Sequence, residues 1–373
     1  MQIVELNDLQ DLLAALMTQG YTVIGPKIRD GAISFDTVER VEEFPRGWTD
    51  VQDAGTYRIA PGADDSLFMF TVGPHSWKRY LFPSRLRLFA ARKEGKGFAV
   101  EPEDAVPARP FAFIGVRACE LAALAIQDKI FMSGAYRDRH YAQTRSSAFI
   151  VAVNCAQAGG TCFCASMGTG PRAREGFDLA LTEVREGTRH YFVVEMGSDR
   201  GREVLEHVTH RPAEKEEAER AAAVARRTTA AMGRTLETKG LAGILRDNFE
   251  HPRWDDISKR CLSCANCTMV CPTCFCSTVE DLTDLTGDHA ERWRRWDSCF
   301  TADFTRVAGG NIRMSTRTRY RQWLTHKLSN WVEQFGTSGC VGCGRCITWC
   351  PVGIDITAEA TAIRESTIAT TNG

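Results

Sequence analysis

Apolar and polar positions along this chain change rhythm several times, and each change predicts a different element. Leu9, Leu12, Leu13 and Leu16 recur at helical spacing behind Asn7 and Asp8, either of which can cap the first turn. A short amphipathic helix through about Met17 follows, closed by Gly20. Residues 21–25 alternate like a strand, and residues 33–35 are the expected hairpin partner across Asp30-Gly31. Residues 57–59 and 67–71 read as strands flanking the turn at Pro61-Gly62-Ala63-Asp64. In residues 73–80 the expectation is a turn whose Trp77 and Tyr80 pack inward, and residues 94–110 read as a surface connection rich in charge, Gly and Pro. Residues 111–116 and 148–153 are short unbroken apolar runs, the pattern of buried parallel strands, and residues 120–126 between them are helical. Residues 178–184 and 190–195 predict a hairpin joined at Glu186-Gly187.

Beyond residue 202 the rhythm turns helical and charged. Residues 213–231, a string of Glu, Arg and Ala, predict a solvated helix and mark the boundary between two domains, 1–235 and 236–373. Further helices are expected at 279–296 and 320–335, and the last dozen residues as a frayed tail. The fold class is therefore an α/β (α+β) amino-terminal domain followed by a mostly helical, ferredoxin-like domain.

The cysteines change this picture from a fold to a chemistry. Cys261, Cys264, Cys267 and Cys271 precede Pro272, and Cys340, Cys343, Cys346 and Cys350 precede Pro351. Each set reads C-x2-C-x2-C-x3-C-P, the bacterial ferredoxin run for a [4Fe-4S] cluster. Three closely spaced cysteines wrap three irons while backbone N–H groups turn toward the sulfurs. The fourth points away and ligates the other cluster. The expected sets are Cys261, Cys264, Cys267 and Cys350 for one cluster, and Cys340, Cys343, Cys346 and Cys271 for the second. Structural zinc pairs two C-x2-C units across a gap and fits this spacing poorly. Cys274 or Cys276 can also serve in place of Cys271; otherwise they, like Cys299, are spare thiols.

Four more cysteines lie outside the runs. Cys119 and Cys155 follow the two predicted parallel strands, and Cys162 and Cys164 stand in a Gly-Gly-Thr-Cys-Phe-Cys loop. Ligands gather at the carboxyl ends of such strands. These four are candidate ligands of a third cluster, the alternative being buried thiols that pack as small apolar residues. Trp331 and Trp349 are expected to shield clusters from water. Arg292–Arg295 and Arg313–Arg321 are a candidate docking face for an acidic partner, or a solvated surface.

Composition narrows the function classes. With 373 residues, 43 % of them hydrophobic, and a formal net charge of −1, the chain has no basic excess for nucleic acid and no acidic bias toward disorder. Fifteen cysteines without a secretory leader imply a reducing compartment, so a cytoplasmic location is expected. No apolar stretch is long enough to span a membrane. There is no G-x-G-x-x-G after a strand and no Walker lysine, and the eight histidines show no metal-ligand pairing. A thiol-redox protein using the amino-terminal cysteines is a rival class, weakened because Cys162-Phe-Cys164 is C-x-C, not C-x-x-C.

Residues 115–121, Val153-Asn154-Cys155, the Gly160–Cys164 loop, Gly168-Thr-Gly-Pro171, the Cys-Pro-Thr-Cys-Phe-Cys segment ending at Cys276 and Trp296-Asp-Ser-Cys299 together resemble one family. It comprises the iron–sulfur beta subunit of cytoplasmic NAD(P)-linked [NiFe] sulfhydrogenases and the corresponding iron–sulfur subunit of anaerobic sulfite reductase. The resemblance runs from about Tyr57 to Asp355. It implies a non-catalytic electron-transfer subunit with at least two [4Fe-4S] clusters. Its partners would be a flavin subunit, carrying FAD and a [2Fe-2S] cluster and exchanging electrons with NAD(P)H, and the small and large [NiFe] hydrogenase subunits. In the other branch the acceptor is a sirohaem sulfite reductase.

Overall fold

The two unbroken apolar runs become adjacent parallel strands at the middle of a large sheet. In the computed structural model, which describes residues 1–104 and 106–372, the chain opens with β1 (Gln2–Glu5), β2 (Thr22–Arg29) and β3 (Ala32–Thr37). A small hairpin, β4 (Trp48–Asp53) and β5 (Thr56–Pro61), precedes β6 (Arg85–Glu94) and β7 (Gly97–Glu101). Then come β8 (Phe111–Val116), β9 (Phe149–Val153), β10 (Leu179–Glu186), β11 (Arg189–Met196) and β12 (Arg211–Pro212). The eight-stranded sheet has the order β12-β1-β11-β10-β9-β8-β2-β3. Strands β2, β8, β9 and β10 run parallel, and the β2–β3 and β10–β11 hairpins turn back antiparallel at the two sides. All residues of β9 and five of six in β8 are buried, which is why neither shows alternation in sequence. Asp30 and Gly31 both take positive φ, 50° and 72°, as the tight β2–β3 turn requires.

The first helix, Leu9–Thr18, buries Leu9, Leu12, Leu13 and Leu16 as their spacing predicts, but Asp8 stands at its N-cap without a side-chain cap bond. Trp77 is buried, as expected, and Tyr80 is partly buried.

Several elements differ from the expectation, each for a visible reason. Residues 67–71 are not a strand, because side chains take up their backbone groups. The Glu183 carboxylate accepts from Leu67 N and Phe68 N at 2.6 and 2.9 Å, Asp50 accepts from Thr71 N at 2.6 Å, and Arg117 donates to the Phe68 and Phe70 carbonyls at 3.0 and 2.9 Å. β5 pairs instead with β4. The connection at 94–110 contains strand β7.

Residues 279–296 form a hairpin, β13 (Ser277–Thr283) and β14 (His289–Trp296), where a helix was expected. Gly287 turns it with φ 73°, and β14 pairs antiparallel with β6. The arginines that suggested a helical face are cross-strand partners. Arg292 meets Asp281 through two bonds of 2.6 and 2.7 Å, and Arg85 lies over Trp293 at 4.0 Å. This four-stranded sheet, β13-β14-β6-β7, joins residues on both sides of position 235.

The terminal residues are also not frayed: Ile356–Asn372 is a helix, with Gly373 outside the described residues. Ile356, Ala360 and Ile363 pack inward, and buried Glu359 holds Arg253 and Arg260 at 2.5 and 2.7 Å. The expected helix at 320–335 begins at Thr316, widens into a π turn over His326–Asn330, and stops at Gly336, φ 67°. Among the described residues no helix is long and apolar enough to cross a membrane.

Candidate metal centres

Both ferredoxin-type runs fold into the same loop. In the first, Ser263 and Ala265 take positive φ of 51° and 67°; in the second, Gly342 and Gly344 take 66° and 76° at the matching places. Left-handed backbone costs about 1–2 kcal/mol per non-glycine residue. Adopting it twice in Ser263 and Ala265 indicates that the loop, not local preference, sets the conformation. The turn aims amides at sulfur: Ser263 N reaches Cys261 Sγ and Gly342 N reaches Cys340 Sγ, both at 3.4 Å. Each fourth cysteine also meets an amide, though at a different offset, Thr273 N lying 3.4 Å from Cys271 Sγ and Ile354 N 3.3 Å from Cys350 Sγ.

Cys261, Cys264, Cys267 and Cys350 line one cavity, beneath Tyr320 and Trp323. Cys340, Cys343 and Cys346 gather with Cys271, which is close enough to raise the pKa of all three. Burial is the first cause of these upward shifts, taking Cys340 to about 12. Such sulfurs are thiolates only when a metal supplies the opposing charge. Lys327 partly supplies that charge for Cys271. Its buried ammonium donates to Cys271 Sγ at 3.1 Å and to Thr273 Oγ1 at 3.2 Å, and the nearby sulfurs hold its pKa up despite burial.

Cys119, Cys155, Cys162 and Cys164 line a second, largely apolar cavity. Cys119 sits in the first turn of the helix Ala118–Phe131 that leaves β8, and Cys155 follows β9. Burial pushes all four thiols up, Cys164 to about 12, and neighbouring sulfurs raise Cys119, Cys162 and Cys164 further. Glycines let the backbone close around them: a Cβ at Gly159 would stand 3.2 Å from Cys162 Sγ, and one at Gly170 2.9 Å from Cys164 Sγ.

Among the described residues, four buried donors without a protein partner stand at these places. They are Tyr320 Oη and Trp323 Nε1 at the first cavity, Arg117 Nη1 at the third cysteine set, and Arg345 Nη1 on the second run. Unmet buried donors are costly, and an iron–sulfur cluster offers acceptors for them. Trp331 is buried as expected, whereas Trp349 stacks on Tyr57 with centroids 5.1 Å apart.

The second run and the third cysteine set touch through backbone. Phe163 N donates to Gly342 O at 2.8 Å, and Thr169 Oγ1 to Val341 O at 2.6 Å. Arg345, fully buried, pairs with Glu120 at 2.5 Å and donates to the Gly73 and His75 carbonyls at 2.8 and 3.0 Å. Glu120 also accepts from Trp77 Nε1 at 2.9 Å. A Cβ on Gly344 would lie 2.5 Å from Thr161 O. Gly344→Ala should therefore cost several kcal/mol, whereas Gly336→Ala, also left-handed at φ 67° but with nothing within 4 Å, should cost only the conformational strain of about 1–2 kcal/mol. Thermal melts of the two variants test this; equal shifts would mean the loops do not depend on their close approach.

Cys274, Cys276 and Cys299 lie on a third cavity, of about 370 Å³, which His326 and Lys327 also line. The Cys299 thiol and backbone N–H both reach Cys276 and lower its pKa to about 7. Burial and the neighbouring cations Lys327 and Arg313 lower His326 to about 4. Lys78, buried over the Trp296 ring at 3.9 Å, donates to the Cys271 and Cys274 carbonyls at 3.1 and 3.0 Å. Sequence reasoning missed Lys78, Arg117, Lys327 and Arg345, since each meets its sulfur or backbone partners only through the fold. Among the described residues no group of three His, Cys, Asp or Glu side chains converges tightly enough for a single metal ion.

Residues 260–354 match the family of 4Fe-4S dicluster domains. Over 339 residues, 88 % of this chain and 95 % of its relative, the sequence is 31 % identical to sulfhydrogenase 2 subunit beta of Pyrococcus furiosus. The chain belongs to the sulfhydrogenase beta-subunit family. It is thus an iron–sulfur, electron-transfer protein. The matched dicluster segment contains both cysteine runs, and the wider family match extends over the third cysteine set. No solved structure matches the chain.

Proposed function

We propose that this chain is the electron-relay subunit of a soluble, cytoplasmic hydrogenase complex. It would pass electrons between a flavin NAD(P)H-oxidoreductase subunit, carrying FAD and a [2Fe-2S] cluster, and [NiFe] small and large subunits. It is divided functionally at about residue 235, with the β13–β14 arm reaching back to β6. One observation carries this reading: the three cysteine sets are contiguous. Cys267 lies near Cys346, linking the two runs, and Cys343 lies near Cys119, Cys162 and Cys164, linking the second run to the third set.

Cys261, Cys264, Cys267 and Cys350 would hold one [4Fe-4S] cluster, Cys340, Cys343, Cys346 and Cys271 a second, and Cys119, Cys155, Cys162 and Cys164 a third. Such clusters supply one-electron steps, which a two-electron flavin needs on its way to a distant centre. The chain's own residues tune those steps. Lys327 places a cation beside Cys271, amide N–H groups at 3.3–3.4 Å reach four cysteine sulfurs, and Trp323 and Trp331 exclude water.

Iron content tests the third set. Cys119→Ser/Cys162→Ser in anaerobically purified complex should lose about four irons per chain and one EPR signal while keeping the other two clusters. Unchanged iron would reduce these cysteines to packing thiols. A parent protein without iron would remove the relay reading altogether.

A further inference from the structure

Twelve of the fifteen cysteines fall into the three sets above, and the remaining three are not scattered. Cys274, Cys276 and Cys299 share one cavity. Cys274 leaves the same turn as Cys271, and Cys276 meets Cys299 at the open base of the β13–β14 hairpin, Asp297 N donating to Cys276 O at 2.8 Å. The opposite wall is the π turn His326–Asn330. A regular helix would turn adjacent side chains about 100° apart. Here His326 and Lys327 both line the cavity. The His326 ring nitrogens make no hydrogen bond among the described residues, and the ring faces Phe275 and Trp331 with centroids 6.3 and 6.2 Å away. Single π turns inside helices recur at functional sites.

We infer that Cys274, Cys276 and Cys299, with His326 as fourth donor, hold a further iron–sulfur cluster beside the second run. The charge around the cavity selects the ligand class. Lys327 and Arg313 line it, and no carboxylate does. A bare divalent cation is repelled by the two cations that line the cavity. A cluster carried by three thiolates is anionic and is matched by the two cations. Lys327 then serves two centres at once, since it also donates to Cys271 Sγ at 3.1 Å. The second run becomes a junction, joined to the first run through Cys346 and Cys267, to the amino-terminal set through Cys343, and to this site through Cys271 and Cys274.

This inference goes beyond the three-cluster relay and can fail without it. Iron, sulfide and zinc are measured on the anaerobically purified complex, parent against Cys276→Ser/Cys299→Ser, with EPR after reduction and His326→Ala as a second, milder variant. The expected result is a loss of about four irons per chain in the double variant, with the EPR signals of the other clusters intact. His326→Ala should keep most of the iron but shift one signal, and His326→Cys should restore a cysteine-type signal at the same centre. Equal iron in parent and double variant, with three reactive thiols in the parent, overturns the inference and leaves the relay standing. One zinc per chain lost in the double variant overturns it as well. A parent with no iron removes both readings.

Discussion

Arg345→Ala is expected to destabilise the protein by about 3–5 kcal/mol, the penalty for breaking a buried ion pair by removing one partner. Arg345 and Glu120 are both fully buried, 2.5 Å apart, and belong to segments 225 residues apart in sequence. The guanidinium also bonds the Gly73 and His75 carbonyls, so truncation strands two carbonyl oxygens and a carboxylate in the interior. The pair sits between Cys343 and Cys119, so the damage should not stay local. A melt followed by cluster absorbance should show bleaching several degrees earlier than in the parent. Arg345→Met combined with Glu120→Leu, which removes both charges, should recover part of the loss. A single variant melting with the parent would show that this pair does not secure the junction.

Cys343→Ala is expected to abolish electron passage through the chain and to remove about four irons per chain. Cys264→Ala should lose or convert one cluster too, but with a smaller structural effect. Cys264 is exposed on its loop, whereas Cys343 is buried among Val72, Cys119, Cys164 and Trp331. Truncating Cys343 opens a void against the third set and should broaden that centre's EPR signal as well. If Cys343→Ala and Cys264→Ala both retained full iron and full activity, the two runs would not be cluster ligands.

The two runs were legible in sequence because a cluster imposes its geometry locally, so three cysteines and their inward amides fall within seven residues, as Cys261–Cys267 do. The third set was half legible. Cys119 and Cys155 stand at strand ends that apolar runs reveal, but their meeting with Cys162 and Cys164 depends on the glycine loop closing over Thr71 and on Gly170. The hairpin at 277–296 was misread because its arginines and tryptophans repeat with a spacing that also suits a helix. What decides the matter is β6, almost two hundred residues earlier, which no local pattern announces. Lys327 gave no signal for a similar reason. A lysine in a helix reads as solvated surface, and only the π turn and the Cys271 loop make it a buried counter-charge.

The two matching loops differ in one respect that bears on how the protein ages in air. Residues 341–345 of the second run are all buried, while Leu262 in the first is 63 % exposed and Cys264 and Asn266 also face solvent. Small oxidants and chelators arriving from solution therefore meet the first run before the second. Loss of iron on exposure should be graded, any EPR signal held by the first run fading before that of the second.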